Sequence, residues 1–305
     1  MTEITASAVK ELRERTGAGM MDAKKALVET NGDMEAAIDL LRTKGLAKAA
    51  KKSGRTAAEG LISLAISADA KSGAMVEVNS ETDFVARNDQ FQEFCATIGT
   101  LGLTVTTVEE LSVVQYGNGK TVTEKLTENI ATIGENQSLR RIGKLSVSQG
   151  AVAGYMHNAT ATNMGKIGVL VAIEGPGDTA ALQDLGKKIA MHVAAANPQA
   201  LSIADVDPTL LEREKNVLRE QAASSGKPAD VVEKMIEGRI RKYYEEIVLS
   251  EQIFIMDGET KVGKLVEKEA PGCTLAGYLR FQVGEGIEKE ESNFAEEVAK
   301  MTGTA

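Results

Sequence analysis

The chain has 305 residues, of which 43% are apolar and 26% are charged, and its formal net charge is −9. This composition is typical of a globular protein of two or three domains and excludes a disordered tail protein or a fibrous repeat. The acidic balance argues against a general nucleic-acid coat, and a total of two His and two Cys excludes a Cys/His zinc cluster and a disulfide scaffold.

The sequence has no apparent segment that would direct it to or through a membrane. The start carries Glu3 and no apolar signal region, and the longest apolar stretch, residues 167–173, is far shorter than the ~20 residues of a membrane span. We therefore expect a soluble cytoplasmic protein without membrane contact, in which Cys95 and Cys273 are reduced thiols.

The first 55 residues are predicted to form three short helices, because apolar residues recur there at helical spacing. Asp33 follows a turn and is expected to cap the third helix through its carboxylate. Met20 and Met21 lie at an exposed corner between the first two helices. They belong either to a bundle whose role is purely structural or to an adaptable docking surface.

A basic stretch follows, in which residues 40–58 carry six Lys or Arg and no acid. We predict a linker here, formed by a solvated helix end and a hinge. A short basic run can also contact RNA or an acidic protein face. An RNA- or ribosome-associated factor that uses residues 42–55 is therefore an alternative function.

Two strand-rich units come next, each built as a hairpin followed by a helix. The first hairpin runs from Leu61 to Val78, and Asp89 is expected to cap the helix that follows it. The second unit consists of a strand, a polar turn, a strand and a helix over residues 152–157, 158–166, 167–173 and 180–196. A later strand at 275–281 shares the triplet Ala-Gly-Tyr with the second unit, which predicts related or neighbouring strands in one sheet. The fold class is therefore predicted to be α+β.

A helical hairpin is predicted over about residues 207–250. Two heptad rows, Leu210 with Val217 and Leu211 with Leu218, are followed by a second apolar stripe over 232–247. Between them, residues 226–228 read Gly-Lys-Pro and form the predicted tip. Such an arm is usually a protruding antiparallel coiled coil that contacts a partner or supports the fold.

The motifs of common enzyme sites are absent or incomplete. Residues 119–121 resemble the end of a phosphate-binding loop but lack the required upstream Gly, and residues 284–286 begin a dinucleotide motif without its third Gly. A phosphotransfer enzyme using 119–121 is thus the weakest of three hypotheses. His192 is expected to be a satisfied histidine at the edge of the core, whereas His157 is expected to be exposed at a strand end and to be a contact residue.

The segment over residues 77–87 stands out because it places a bulky ring beside an acid in a polar turn. Thr82 is expected to cap a short helix whose first turn presents Asp83 and Phe84 together. Phe84 either projects from this turn or folds inward under the sheet.

The run from Leu12 to Leu27 and the segment Thr82-Asp83-Phe84-Val85 resemble the two signature stretches of the bacterial translation elongation factor Ts family. Further similar stretches cover residues 133–141, 189–195 and 280–288. The resemblance implies a nucleotide-exchange factor for elongation factor Tu, a GTPase that carries aminoacyl-tRNA. It implies no catalytic site, cofactor or metal in this chain, no direct nucleotide binding and no need for nucleic acid.

The resemblance also assigns roles to individual residues. By this resemblance, the residues that dislodge Mg²⁺ from the partner are Thr82, Asp83, Phe84 and Val85. The residues that dock on the partner are Arg13, Met20, Met21 and His157. Two copies of the chain could also join in the complex, through a sheet edge or the hairpin.

The same resemblance suggests a division into domains. Residues 1–55 would form a module like the ubiquitin-associated three-helix domain, with the basic linker, and 56–145 the N-terminal half of a two-part core. Residues 146–285 would form the C-terminal half, with the coiled-coil hairpin inserted at about 207–250. Residues 286–305 would form a short C-terminal helical module.

Overall fold

The computed structural model describes residues 4–223 and 229–288. Helices surround an antiparallel sheet, which confirms the predicted α+β class. The predicted hairpin tip at 226–228 lies outside the described residues, as does the predicted C-terminal module beyond residue 288. Within the described ranges, no helix has the length and apolarity needed to cross a membrane.

Three helices form the N-terminal module around a small apolar core. They are α1 (Ala6–Thr16), α2 (Met20–Glu29) and α3 (Met34–Lys52). Leu12 and Leu27 are fully buried between them. The side chain of Asp33 accepts the N–H of Ala36 at 3.0 Å, so the predicted cap of α3 is confirmed.

The six strands of the main sheet are β1 (Glu59–Ile66), β2 (Ser72–Ser80), β5 (Gln137–Ser146), β6 (Gly150–Ala161), β7 (Met164–Glu174) and β8 (Thr274–Gln282). Their order is β5-β2-β1-β7-β6, and every pairing among them is antiparallel. One edge of β7 pairs along its length with β6. The other edge is shared, since β1 pairs at residues 164–165 and β8 pairs over 167–174. The two Ala-Gly-Tyr strands, β6 and β8, thus lie in one sheet, as predicted, but they flank β7 and are not neighbours.

Alternate residues of the strands point into different apolar cores. Leu61 and Val76 belong to the core beneath helix α4 (Asp89–Leu101), whereas Ile62 and Met75 belong to a core on the opposite face of the sheet. Strands buried on both faces read as continuous apolar runs, which explains why these two show no clean alternation. Gly60 has a φ of +125°, and a Cβ there would lie 2.1 Å from the carbonyl oxygen of Val78, so only glycine fits.

The second hairpin carries its own helix on the sheet. Helix α7 (Thr179–Ala196) buries Leu185 and Ile189 against Val171 and Ile173 of β7. Helix α10 (Val262–Glu269) completes this core. Each predicted hairpin is therefore followed in the chain by a helix that covers it.

Residues 100–134 connect the two hairpins through short elements. They are helix α5 (Val108–Val113), strands β3 (Gln115–Gly117) and β4 (Lys120–Thr121), and helix α6 (Val122–Ile133). Asn118 and Gly119 both have positive φ and make the two-residue turn between β3 and β4. The ammonium of Lys120 pairs with the carboxylate of Glu128, so the lysine of the incomplete phosphate-loop motif is already engaged.

Helices α8 (Pro208–Ala223) and α9 (Ala229–Ile247) form an antiparallel hairpin. Leu218 packs in one cluster with Ile236 and Ile240, while Leu211 lies at the opposite end beside Tyr244. The other predicted heptad row, Leu210 and Val217, is instead exposed. One row therefore forms the helix interface, because a two-helix seam buries a single stripe of each helix.

The predicted basic linker is largely helical, because α3 continues without a break to Lys52. Three of its cations pair with acids: Arg42 with Glu124 of α6, Lys44 with Glu29, and Lys48 with Asp22. A Cβ at Gly45 would lie 3.5 Å from Ala131, so this half of α3 lies directly against α6. The predicted solvated helix end is confirmed, since most residues of this half of α3 are exposed. The predicted hinge was wrong, because the helix is unbroken to Lys52 and one side of it packs against α6.

Candidate partner-binding surface

The segment that follows β2 is a turn held at both ends. Val85–Arg87 form one turn of 3₁₀-helix, and Asn88 then caps α4 by accepting the N–H of Phe91 at 3.1 Å. The prediction that Asp89 caps this helix was therefore wrong by one residue. Asp89 lies instead in the first turn of α4, where its negative charge interacts favourably with the positive end of the helix dipole.

Thr82 does not cap a helix, contrary to the sequence prediction. Its backbone N–H donates to Oε2 of Glu135 at 2.9 Å, and its hydroxyl donates to Oε1 of the same side chain at 2.6 Å. Glu135 lies 53 residues further along the chain. The hydroxyl thus binds a carboxylate that is distant in sequence, and the local sequence pattern gave no reason to pair the two residues.

Phe84 projects from this turn and is 77% exposed, and Asp83 beside it is also exposed. Of the two predicted orientations of Phe84, outward from the turn or inward under the sheet, the structure shows the outward one. Val85 and Ala86, which follow directly, are buried in the same core as Phe91. The turn thus presents an acid and a ring to solvent from a well-anchored base.

A second exposed apolar feature lies on the N-terminal module. Met20 and Met21 open helix α2 and are 60% and 62% exposed, while Ala23 and Leu27 of the same helix face the module core. Arg13 is exposed on α1. The two flexible thioether side chains can adapt to a partner surface without disturbing that core.

The end of α3 joins this module to the turn. Lys52 donates to the carbonyl of Gly134, and Arg55 lies 3.4 Å from the carboxylate of Glu81. The side-chain amide of Asn136 donates to the carbonyl of Arg55 at 2.7 Å. The module that carries the two methionines and the turn that carries Phe84 are therefore joined by specific contacts at the end of α3.

His157 lies within β6, not at a strand end as predicted. It is exposed, and its Nδ1 is 3.2 Å from the hydroxyl of Tyr155. The predicted polar turn over 158–166 was wrong, because pairing with β7 continues to Ala161 and the reversal occurs at residues 162–163. Small and polar residues at an exposed hairpin end look like a loop in sequence.

His192 is buried in α7, as expected of a satisfied core histidine. Its Nε2 lies 2.9 Å from Oε1 of Gln252, and its Nδ1 accepts the N–H of Ile255 at 3.3 Å. These partners fit a neutral ring with the proton on Nε2. Burial lowers the pKa of His192, although the hydrogen bond with Gln252 opposes the shift.

One buried charged group escaped the sequence prediction. Glu77 is fully buried in β2, where its carboxylate meets Arg140 and Arg141 of β5 and the N–H of Gly284. Burial acts to raise the pKa of Glu77, but these hydrogen bonds and that of Asn79 together hold it below its usual value. A single acid between the apolar residues Val76 and Val78 was the available signal.

Within residues 4–223 and 229–288, no cluster of three or more His, Cys, Asp or Glu is placed to hold a metal ion. Cys95 and Cys273 are both buried free thiols. The exposed residues described on this surface are Met20, Met21, Phe84, Asp83, Arg13 and His157.

Comparison with known proteins gives matches along the whole chain. Residues 81–285 match the family model described as elongation factor TS. An elongation factor Ts of Rhodospirillum centenum is 60% identical over 310 residues, with 99% of this chain and 100% of the relative covered. Those of Gluconobacter oxydans and Sphingopyxis alaskensis are 58% and 57% identical, and each covers at least 99% of this chain and 100% of the relative. The family match begins at Glu81 and so contains the turn that carries Phe84.

Proposed function

The chain belongs to the elongation factor Ts family and to translation elongation, and on that basis we propose that it is the guanine-nucleotide exchange factor of elongation factor Tu. It binds the GDP form of that GTPase in the cytoplasm, dislodges Mg²⁺ and GDP, and leaves when GTP binds. It performs no chemical step of its own and needs no cofactor. The observation that carries the proposal is the exposed Phe84 beside Asp83 on an anchored turn.

The proposed mechanism acts on the metal site of the partner. A P-loop GTPase holds GDP through backbone N–H groups, a lysine and a Mg²⁺ ion that bridges phosphate oxygens. Phe84 inserts between side chains of the nucleotide-binding domain, and Asp83 enters with it. Thr82 and Val85 fix the direction of this insertion. The displaced groups no longer hold the metal, so the affinity for GDP falls.

The other proposed contacts fix the partner in place. Met20 and Met21, with Arg13 beside them, dock on a neighbouring helix of the partner. His157 and the C-terminal half of the core contact a second face. The exposed side chains of all four residues support this assignment.

We retain the domain division as part of the proposal. The three N-terminal helices act as a module like the ubiquitin-associated domain, and residues 56–145 and 146–285 act as the two halves of the core. The α8–α9 hairpin serves as a protruding coiled coil that contacts a partner, and 286–305 serves as a C-terminal module. Two copies of the chain can join through a sheet edge or the hairpin.

Thermodynamic linkage constrains the exchange reaction. If the factor weakens GDP binding by a given free energy, GDP must weaken the binding of the factor by the same amount. Neither ligand then needs to be removed by an external energy source, because GTP refills the empty site and the factor dissociates.

The test is a nucleotide-release assay. Elongation factor Tu loaded with labelled GDP is mixed with the wild-type chain and with excess unlabelled nucleotide, and release is followed over time. We expect the wild-type chain to accelerate release by orders of magnitude. Release at the intrinsic rate, with a folded wild-type chain present in excess, would overturn the proposal.

The alternative of an RNA-associated factor predicts affinity for RNA that falls steeply with salt. The ion pairs of Arg42, Lys44 and Lys48 with acids of the same chain weigh against it, since a paired cation releases fewer counterions on binding phosphate. An RNA titration at two salt concentrations with the wild-type chain separates the two functions.

A further inference from the structure

Both carboxylate oxygens of Glu135 accept hydrogen bonds from the same residue, Thr82. Oε2 accepts the backbone N–H at 2.9 Å, and Oε1 accepts the hydroxyl at 2.6 Å. Hydrogen bonds to an ionised acceptor are shorter and about twice as strong as those between neutral groups. This two-pronged contact fixes the residue immediately before Asp83.

The turn depends on this contact because its exposed part has few others. On the C-terminal side, Val85 and Ala86 are buried and anchor the chain. On the N-terminal side, the hydroxyl of Ser80 donates to the carbonyl of Thr82 at 3.0 Å, and Glu135 supplies the remaining contacts with that residue. Without Glu135, Thr82 would keep only the hydrogen bond from Ser80 among the described residues, while Glu81 before it would keep its contacts with Asn136 and Arg55.

The position of Glu135 is itself fixed by its neighbours in the chain. Gly134 ends α6 with a φ of +91°, and its carbonyl accepts a hydrogen bond from Lys52 at the end of α3. Asn136 is 8% exposed, its N–H donates to Glu81 at 2.5 Å, and its side chain binds the carbonyl of Arg55. The loop over 134–136 is therefore pinned between the end of α3 and the end of β2.

We propose that Glu135 is a positioning residue for nucleotide exchange, which holds the Thr82 turn in the conformation that presents Asp83 and Phe84 to the GTPase. This inference rests on the proposed function and deepens it. A turn that is already ordered loses little conformational entropy when it enters the partner, so more of the contact energy is left to weaken GDP binding. Because the same loop holds the end of α3, Glu135 also links the turn to the helix that ends the N-terminal module.

The inference is tested with three substitutions at this position and one matched control. Glu135→Ala removes both hydrogen bonds. Glu135→Gln keeps them, since its carbonyl accepts the N–H of Thr82 and its amide donates to the hydroxyl oxygen. Glu135→Asp keeps the charge but is too short to reach both groups. Glu109→Ala removes an exposed acid of the same half of the core, away from this loop.

The first measurement is the GDP-release rate of elongation factor Tu at increasing concentrations of each variant. We expect the maximal rate with Glu135→Ala to fall by roughly tenfold, as loss of hydrogen bonds to a charged group predicts. The half-saturating concentration should change much less, because the docking residues are intact. Glu135→Gln should recover most of the maximal rate, and Glu109→Ala should match the wild-type chain.

The second measurement is amide hydrogen exchange of the free chain, which needs no partner. Exchange over residues 82–84 should accelerate in Glu135→Ala, while protection of α4 and α7 stays unchanged. If the alanine variant does not fold, Glu135→Asp carries both measurements.

The two proposals fail in different ways. If the wild-type chain accelerates GDP release from elongation factor Tu and Glu135→Ala reaches the same maximal rate, the positioning role is overturned and the exchange function stands. A wild-type chain that releases no GDP overturns the exchange function. Equal exchange over 82–84 in wild type and Glu135→Ala overturns the claim that Glu135 orders the turn, whatever the GTPase assay gives.

Discussion

The Oε2 atom of Glu77 lies 2.6 Å from Nε of Arg141, in a carboxylate that is fully buried. Its Oε1 meets Nη1 of Arg140 at 3.0 Å and the N–H of Gly284 at 2.8 Å. One acid in β2 therefore connects the neighbouring strand β5 with the chain just after β8. Each oxygen has donors, as a buried charge requires.

Glu77→Ala should lower the free energy of unfolding by about 3–5 kcal/mol, because it leaves two arginines without their buried partner. The measurement is urea denaturation followed by circular dichroism. Glu285→Ala is the control, since that acid also pairs with Arg141 but is nearly half exposed, and its loss should cost at most about 1 kcal/mol. Equal effects of the two variants would contradict the role given to burial.

Phe84→Ala should leave the free energy of unfolding within about 0.5 kcal/mol of the wild type, because the ring is mostly exposed. GDP release from elongation factor Tu should slow by roughly tenfold or more if the ring is a contact hot spot. Phe91→Ala is the contrasting variant, since removal of this fully buried ring should lower the free energy of unfolding by about 3–5 kcal/mol. Thermal melts of both variants, beside the release assay, check the contrast.

The stability of the protein should fall as the pH drops below about 6.5, through the buried His192. Its pKa in the folded chain is depressed, so the unfolded chain binds a proton first and is stabilised relative to the folded chain as the pH falls toward the folded pKa. Stability from this residue is complete above about 6.5, the ordinary value for histidine. Urea unfolding at pH 7.5, 6.5 and 5.5 measures the slope.

Two variants assign that slope to one ring. His192→Gln removes the titrating group and should abolish this part of the pH dependence, whereas His157→Gln should retain it because His192 is untouched. A slope that persists in His192→Gln with unchanged size would contradict the assignment.

Gly60→Ala should destabilise the fold by at least about 1 kcal/mol, because the residue has a positive φ and a Cβ would collide with the backbone of Val78. Gly54→Ala is the matched control, since no atom lies within 4 Å of the Cβ it would add. Chemical denaturation of both variants gives the comparison, and a neutral Gly60→Ala would show that β1 and β2 can separate without cost.

Elements governed by local chemistry were predicted well from the sequence. Asp33 caps α3 because the capping contact spans three residues, and His192 is buried because apolar residues surround it at helical spacing. The α+β class follows from the same local periodicities. These signals survive in the structure since each depends on residues within one or two turns of the chain.

Several predictions failed because a distant residue decides the outcome. Thr82 binds Glu135, and the basic half of α3 packs on α6, and neither contact leaves a trace in local pattern. Strand β5 was not predicted, because Arg140 and Arg141 interrupt its apolar residues and their buried partner lies in another strand. The outward direction of Phe84 was left open, since it follows from the burial of Val85 and Ala86 in a core that Leu61 and Val76 of the sheet complete.

The shared edge of β7 has a consequence for how the chain reaches its native state. Strand β7 meets β1, about a hundred residues earlier, and β8, about a hundred residues later, on the same side. Contacts between such distant segments require the closure of long loops, which slows folding. During synthesis, a chain that ends before Thr274 leaves one edge of residues 167–174 unpaired, although β6 covers the other edge. An unpaired strand edge invites pairing with other chains. We therefore expect β8 to protect the completed chain from such pairing, because it covers this edge of β7 only after residues 274–282 have been made.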